Sequence, residues 1–265
     1  MRYLFFLLGS ISTLACIAQP ANILANNPKI AFEEVVSGLR NPWGMAFLPN
    51  GDILVTEISG EVRVVRNGEL LNEKIGGVPE VYVRGQGGLL DIELHPDFET
   101  NNWVYLTFSS TLGSGSGGNT TLARYRLIEN QLTQKEILYK GVPNTNKGAH
   151  FGSRIVFDNK GYVYFSIGDR HNRDVNPQSL NLDGGKIYRL NEDGSIPQDN
   201  PFVNTSDAKP AIYSYGHRNP QGMAVHPETG EIWAHEHGPR GGDELNLILT
   251  RQKLRLACYQ LWDQL

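Results

Sequence analysis

The chain has 265 residues, 20% of them charged and 40% hydrophobic, enough for one large all-β domain or two ordinary domains. A formal net charge of -4 with no basic cluster leaves out the electrostatic footprint of a nucleic-acid-binding protein. The 29 Gly and 14 Pro suit a fold in which many short strands are joined by many turns.

The chain opens with a segment that reads as an export leader over residues 1–25. Arg2 supplies its positive end, residues 3–8 and 11–18 its apolar core, and Ala18, Ala21 and Ala25 are candidate cleavage positions. A membrane anchor is disfavoured, because Gly9, Ser10, Ser12 and Thr13 interrupt a stretch already short of the ~20 residues a span needs. Lipoprotein cleavage at Cys16 fits poorly with Thr13. The expectation is a periplasmic or secreted protein with no membrane span after cleavage. Between Cys16 and Cys258 there is no cysteine, so the body relies on its core alone and has no thiolate for catalysis or metal binding.

Four hairpin patterns follow, beginning at Gly44, Gly88, Gly152 and Gly222, at separations of 44, 64 and 70 residues. Each runs from a small-residue opening through an apolar strand, a turn bearing Pro, Asp or Gly, and a second apolar strand. Recurrence at forty or more residues marks propeller blades. Further strands at 62–65, 122–127 and 186–190 help to fill out the four strands that a blade needs. The uneven spacing predicts long loops at 113–121 and 169–183, on the face where function resides.

Polar clusters adjoin these hairpins at residues 84–87, 147–152, 215–222 and 235–244. Equivalent positions on successive blades converge on the central axis, so Gln86, His150, Arg218 and Asn219 are expected to share a pocket. The alternative for each is a capping group that satisfies loop backbone. His217, His235 and His237 suggest zinc, but no third ligand lies close to the His-x-His pair. His95 and His226 each precede Pro in a hairpin turn and read as structural.

The motifs Gly-Gln-Gly-Gly-Leu-Leu-Asp from Gly85, His-Phe-Gly-Ser-Arg from His150, Tyr-Gly-His-Arg-Asn-Pro-Gln-Gly from Tyr215 and Glu-His-Gly-Pro-Arg-Gly-Gly-Asp-Glu from Glu236 are together highly specific. By them, residues 35–248 resemble the soluble quinoprotein sugar dehydrogenases (the glucose/sorbosone dehydrogenase family), and most closely its periplasmic aldose sugar dehydrogenase branch. The resemblance implies an all-β, six-bladed β-propeller of which about four blades are present, in a domain over residues 26–250. It implies pyrroloquinoline quinone (PQQ) and calcium as cofactors, an aldose sugar as substrate, and an electron acceptor that the sequence does not identify. On the same basis His150 is the base that takes the sugar's anomeric proton, and Asp169 orients it. Gln86, Arg218 and Asn219 contact the quinone, whose carboxylates suit a cation and neutral donors. The carbonyls of Gly238 and Pro239 hold the calcium beside the quinone, and Glu244 ligates a separate calcium.

Residues 251–265 depart from the family pattern. With one permitted choice of codons, reading them a nucleotide later yields Lys-Asn-Tyr-Gly-Trp-Pro, the family's sequence at this place, with a tyrosine ten positions after Glu244. The expectation is a frameshifted, non-homologous tail and a product that lacks the closing blades, binds the quinone poorly and turns over little. Two other classes remain open: a non-catalytic propeller that binds a partner, and a calcium-dependent propeller lactonase. The lactonase would need more acidic or amide side chains converging on an axial metal.

Overall fold

The first hairpin pairs β1 (Pro42–Phe47) with β2 (Ile53–Glu57), and the chain continues antiparallel through β3 (Glu61–Arg66) and β4 (Glu69–Ile75). The β3–β4 turn is Asn67–Gly68, both at positive φ (51° and 80°), the two-residue geometry that Asn-Gly pairs favour because it matches strand twist. This description comes from a computed structural model and covers residues 33–239, 241–250, 253 and 254.

Three more sheets repeat the pattern. The second comprises β5 (Leu89–Leu94), β6 (Trp103–Ser110), β7 (Asn119–Ile128) and β8 (Gln131–Lys140), with a four-residue helix α1 (Phe98–Asn101) between β5 and β6. The third holds β9 (Ile155–Phe157), β10 (Val163–Ile167), β11 (Lys186–Leu190) and β12 (Ile212–Tyr215). The fourth holds β13 (Gly222–Val225), β14 (Ile232–Glu236) and β15 (Glu244–Leu247). Strands neighbour one another in chain order within every sheet, and the first strands β1, β5, β9 and β13 pack side by side. These are four blades of a propeller.

Apolar layers between successive blades supply the core. Leu54, Val62 and Val64 of the first blade meet Ile92, Leu106 and Phe108 of the second. Tyr105 and Leu122 meet Phe165, Ile167 and Tyr188 of the third. Tyr164 and Ile187 meet Met223, Ile232 and Ala234 of the fourth. Each fully buried Leu, Ile or Phe contributes ~1.5–3 kcal/mol. Strand β6 is buried along its whole length because it packs on both faces.

In the first three blades a hydroxyl on the second strand joins the blade to the next. Thr56 Oγ1 donates to the Leu90 carbonyl at 2.5 Å, Thr107 Oγ1 to Ser153 at 2.6 Å and Ser166 Oγ to Pro220 at 2.7 Å. His235 occupies the corresponding place in the fourth blade. Close contact also explains the glycine that opens the first hairpin. A Cβ on Gly44 would stand 2.6 Å from Asp91 Oδ1 and 3.0 Å from Asp91 Cα, so no larger residue fits between the first strands.

The strand candidates at 62–65, 122–127 and 186–190 fall within β3, β7 and β11. The loop expected at 113–121 is shorter, since β7 already begins at Asn119, where Thr120 is buried and donates to the Phe151 carbonyl at 2.7 Å. The long 169–183 connection is present and contains a single 3-10 turn at Asn176–Gln178. The expected leader lies outside the described residues, as does most of the tail. Of the tail, Lys253 bridges Tyr215, and the Leu254 N–H donates to the Tyr215 carbonyl at 3.0 Å. Among the described residues no helix is long and apolar enough to cross a membrane.

Candidate functional site

Segments at one end of the third and fourth blades enclose a cleft of about 330 Å³, walled by Lys147, His150, Asp169, His171, Arg218 and Pro239, with residues 172–174 completing it. His150 sits just before the third blade at a positive φ of 58° and is 7% exposed. Its Nδ1 lies 2.7 Å from Asp169 Oδ1. That oxygen also accepts the His171 N–H at 2.7 Å, so it acts as an acceptor towards both groups. The shared proton therefore belongs on Nδ1, which leaves Nε2 of His150 as a basic lone pair.

Asp169 follows β10, and its backbone is held at both its N–H and its carbonyl. Its N–H donates to the Arg218 carbonyl at 2.8 Å, and its carbonyl accepts from Asn176 Nδ2 at 3.0 Å. Gly168 before it must be glycine, since a Cβ would lie 2.4 Å from the His150 carbonyl oxygen. Arg170 turns beneath the His150 segment and donates to the carbonyls of Ala149, Lys147 (2.8 Å) and Gly118 (3.3 Å), with its guanidinium 3.4 Å from the centre of the Phe151 ring. Burial lowers its pKa to about 10, which still leaves it a cation at neutral pH. The His171 ring stands edge-on to His150 at 4.4 Å, and burial, followed by the neighbouring His150, lowers its pKa.

Arg218 reaches the cleft from the segment that joins the third blade to the fourth, and its Nη1 donates to the His237 carbonyl at 3.1 Å. The backbone beneath it rests on Glu236, the last residue of β14. Oε2 of Glu236 accepts the N–H groups of Arg218 (2.6 Å) and Asn219 (2.8 Å), and Oε1 pairs with His217 Nδ1 at 3.0 Å. Burial alone would raise the Glu236 pKa, but His217 and these two N–H groups outweigh it and hold the carboxyl below its usual range.

The structure thus brings His150, Asp169, Arg218 and Pro239 to one cleft, whereas Gln86 and Asn219 lie outside its lining. Gln86 Oε1 accepts the His150 N–H at 2.8 Å, and Asn219 Oδ1 accepts the Gly152 N–H at 2.9 Å. Both acceptor atoms are committed to loop backbone, so what either side chain can offer a ligand is its NH2 group. Gly238 adjoins Pro239 in a turn crowded with carbonyls, where a Cβ on it would stand 2.0 Å from the Gly241 oxygen and 2.7 Å from that of Gly242. Glu244 is half-buried on β15 opposite Glu236, its Oε2 accepting from Asn246 Nδ2 at 3.1 Å. His217 is fully buried between Ser214 and Glu236, and His235 and His237 are exposed. Among the described residues no three His, Cys, Asp or Glu side chains are grouped so as to hold a metal.

Residues 39–253 match the glucose/sorbosone dehydrogenase family. The chain belongs to that family. It is 40% identical over 250 residues to the aldose sugar dehydrogenase YliI of Escherichia coli, a match covering 93% of this chain and 65% of that protein. The apo crystal structure of the soluble aldose sugar dehydrogenase from Escherichia coli superposes with a TM-score of 0.78 at 40% identity, over 82% of this chain and 63% of the other. The PQQ-bound aldose sugar dehydrogenase of Streptomyces coelicolor superposes with a TM-score of 0.72 at 33% identity, over 83% and 63%. The chain therefore spans slightly less than two thirds of the length of these glucose/sorbosone dehydrogenase relatives.

Several residues of the site were not singled out from the sequence. Lys147, Glu236 and residues 171–174 lay within the polar clusters and the long loop noted there, without a role. Glu236 had one readable signal. In His-Glu-His on a strand the two histidines share a face and the glutamate takes the other, and here the histidines are exposed and Glu236 is buried. Arg170 carried no such signal, because its partners are backbone carbonyls brought close by the left-handed conformation of residues 170 and 171 (φ 54° and 57°).

Proposed function

We propose that the chain forms the catalytic face of a quinoprotein that oxidises aldose sugars at the anomeric carbon to the lactone, with PQQ and calcium as cofactors. The observation that carries this reading is the His150–Asp169 pair, 2.7 Å apart, opening on a cleft that Lys147 and Arg218 also line. Its support is the family match, the relative named for aldose sugars and the neighbour that holds PQQ.

The donor set suits the quinone. PQQ is a flat tricarboxylate, and Lys147, Arg173 and Arg218 present three cationic side chains around the cleft. Arg218, with the NH2 groups of Asn219 and Gln86 at the margins, would hold its carboxylates and carbonyls. The carbonyl oxygens of Gly238 and Pro239 are suitable ligands for a hard cation beside it. Glu244 would contribute one oxygen to a second calcium; among the described residues no three His, Cys, Asp or Glu side chains are grouped around it.

The anomeric hydroxyl of the sugar donates to Nε2 of His150. Its proton passes to that nitrogen as the C1–O bond gains double-bond character, and Asp169 Oδ1 stabilises the imidazolium that forms. When bound, PQQ supplies the two-electron acceptor for the hydride leaving C1. Arg170 and Asn176 keep the His150 and Asp169 segments in register while the charge moves. An external acceptor, which the chain does not identify, would take the electrons onward.

Four blades over slightly less than two thirds of the relatives' length is close to the share expected of a six-bladed ring. We further propose that residues 1–25 are an export leader to the periplasm and that 26–250 is the propeller domain, residues 251–265 forming a tail of different character.

Titrating the chain with PQQ in calcium buffer, followed by tryptophan fluorescence, tests the reading. Saturable quenching that weakens with salt and falls about tenfold or more in affinity in Arg218→Ala supports it. Unaltered fluorescence of the folded chain, or equal binding by Arg218→Ala, opposes it.

A further inference from the structure

The segment that carries Arg218 and Asn219 has a counterpart at the start of the propeller. Arg40-Asn41-Pro42-x-Gly44-Met45-Ala46 repeats Arg218-Asn219-Pro220-x-Gly222-Met223-Ala224. Each copy enters a first strand, β1 or β13, and each has a buried glutamate at the end of the second strand, Glu57 on β2 or Glu236 on β14. The glutamate accepts the N–H of the arginine in both: Arg40 N to Glu57 Oε1 at 2.5 Å, and Arg218 N to Glu236 Oε2 at 2.6 Å. The bracket is thus an element of the fold that this chain uses twice.

The two copies differ in what the bracket reaches. In the first blade Leu39 stands where the fourth has His217, and Glu57 Oε2 is buried without a hydrogen-bond partner. Asn41 is exposed there, and its carbonyl accepts from Ile58, at the end of its own hairpin. In the fourth blade both oxygens of Glu236 are occupied, by His217 and by the Arg218 and Asn219 amides. The 217–219 segment then continues into the third blade at three points. His217 N–H donates to the Gly185 carbonyl at 3.0 Å, the Arg218 carbonyl accepts the Asp169 N–H, and Asn219 Oδ1 accepts the Gly152 N–H. The last two adjoin the two partners of the His150–Asp169 pair.

We propose that Glu236 is a positioning residue: from the fourth blade, it fixes through the 217–219 backbone where Arg218 and Asn219 stand relative to His150 and Asp169. As it bears on ligand binding, the proposal rests on the reading that Arg218 and Asn219 hold a carboxylated cofactor. As it bears on geometry, it does not. Three donors converge on its two oxygens, so an amide in its place must turn its NH2 group either to His217 Nδ1 or to the Arg218 and Asn219 N–H groups.

The test compares the chain with Glu236→Gln and Glu57→Gln by hydrogen exchange without ligand, then by PQQ titration. Glu236→Gln is expected to speed exchange at Arg218 and Asn219, and also at Gly152 and Asp169 across the blade boundary. Glu57→Gln, whose amide oxygen can still accept the single Arg40 N–H, is expected to leave exchange at Arg218, Asn219, Gly152 and Asp169 unchanged. PQQ affinity should fall roughly tenfold in Glu236→Gln and stay within twofold in Glu57→Gln. Faster exchange confined to residues 218 and 219, or equal losses of affinity in the two variants, would overturn the proposal. If the unaltered chain binds no PQQ, the cofactor reading fails, and exchange at Gly152 and Asp169 still decides the positioning role. Should Glu236→Gln not fold, His217→Asn, which disturbs one of the three donors, is read by the same exchange at Gly152.

Discussion

His150 Nδ1 lies 2.7 Å from Asp169 Oδ1, and Asp169 is itself anchored by the Arg218 carbonyl and by Asn176. The pair fixes both the tautomer and the direction of the imidazole. Asp169→Asn keeps the shape but presents an amide, which can donate to Nδ1 and so move the ring proton to Nε2. Sugar-dependent dye reduction is expected to drop about a thousandfold or more in kcat, with PQQ binding nearly unchanged. Steady-state kinetics beside a binding titration checks both halves.

Arg170 joins two loops through carbonyls of residues 118, 147 and 149 and the face of Phe151. Arg170→Met retains bulk and leaves those carbonyls without their cationic donor. A loss of about 2 to 4 kcal/mol is expected from hydrogen bonds to a buried charge, read as a lower urea midpoint with an unchanged slope.

The hydroxyl contacts between blades contribute individually. Thr107→Val is nearly isosteric and strands the buried Ser153 carbonyl, so a loss of about 1 to 2 kcal/mol is expected in chemical denaturation. The same change at an exposed threonine, Thr133, should cost far less.

Glu93 titrates near neutrality, its pKa pushed up to about 7 first by burial and then by the charge of Asp91. A carboxyl raised in the folded state favours folding while it stays protonated, and that contribution is lost as pH rises through the folded value. Glu93→Gln stays neutral throughout. Its stability relative to the unaltered chain should therefore increase from about pH 4.5 and level off above pH 7, reaching on the order of 1 to 3 kcal/mol. Denaturation of both proteins across that range checks the sign.

The hairpins were legible because their strands are short apolar runs opened by glycine and closed by Asn-Gly or Pro-bearing turns. The outer strands were not. β4 and β8 are mostly exposed, with Glu, Lys and Gln along them, so their pattern does not separate from that of a loop. His150, Asp169 and Arg218 could be proposed from motifs, since their chemistry lies in their side chains. The support beneath them could not. Arg170 acts on backbone carbonyls through a left-handed turn, and Gln86 and Asn219 spend their acceptors on the N–H groups of residues 150 and 152. Such contacts depend on how neighbouring blades meet, which no local window of sequence contains.

The most direct measurement is a single turnover in the absence of oxygen. The chain is loaded with PQQ and calcium, glucose is added, and the quinone absorbance is followed. The expected result, at quinone concentrations that saturate both proteins, is slow conversion to the reduced form by the unaltered chain and none by His150→Ala. Bound quinone that glucose leaves unreduced, or equal reduction in the two proteins, would contradict the assignment of His150 as the base.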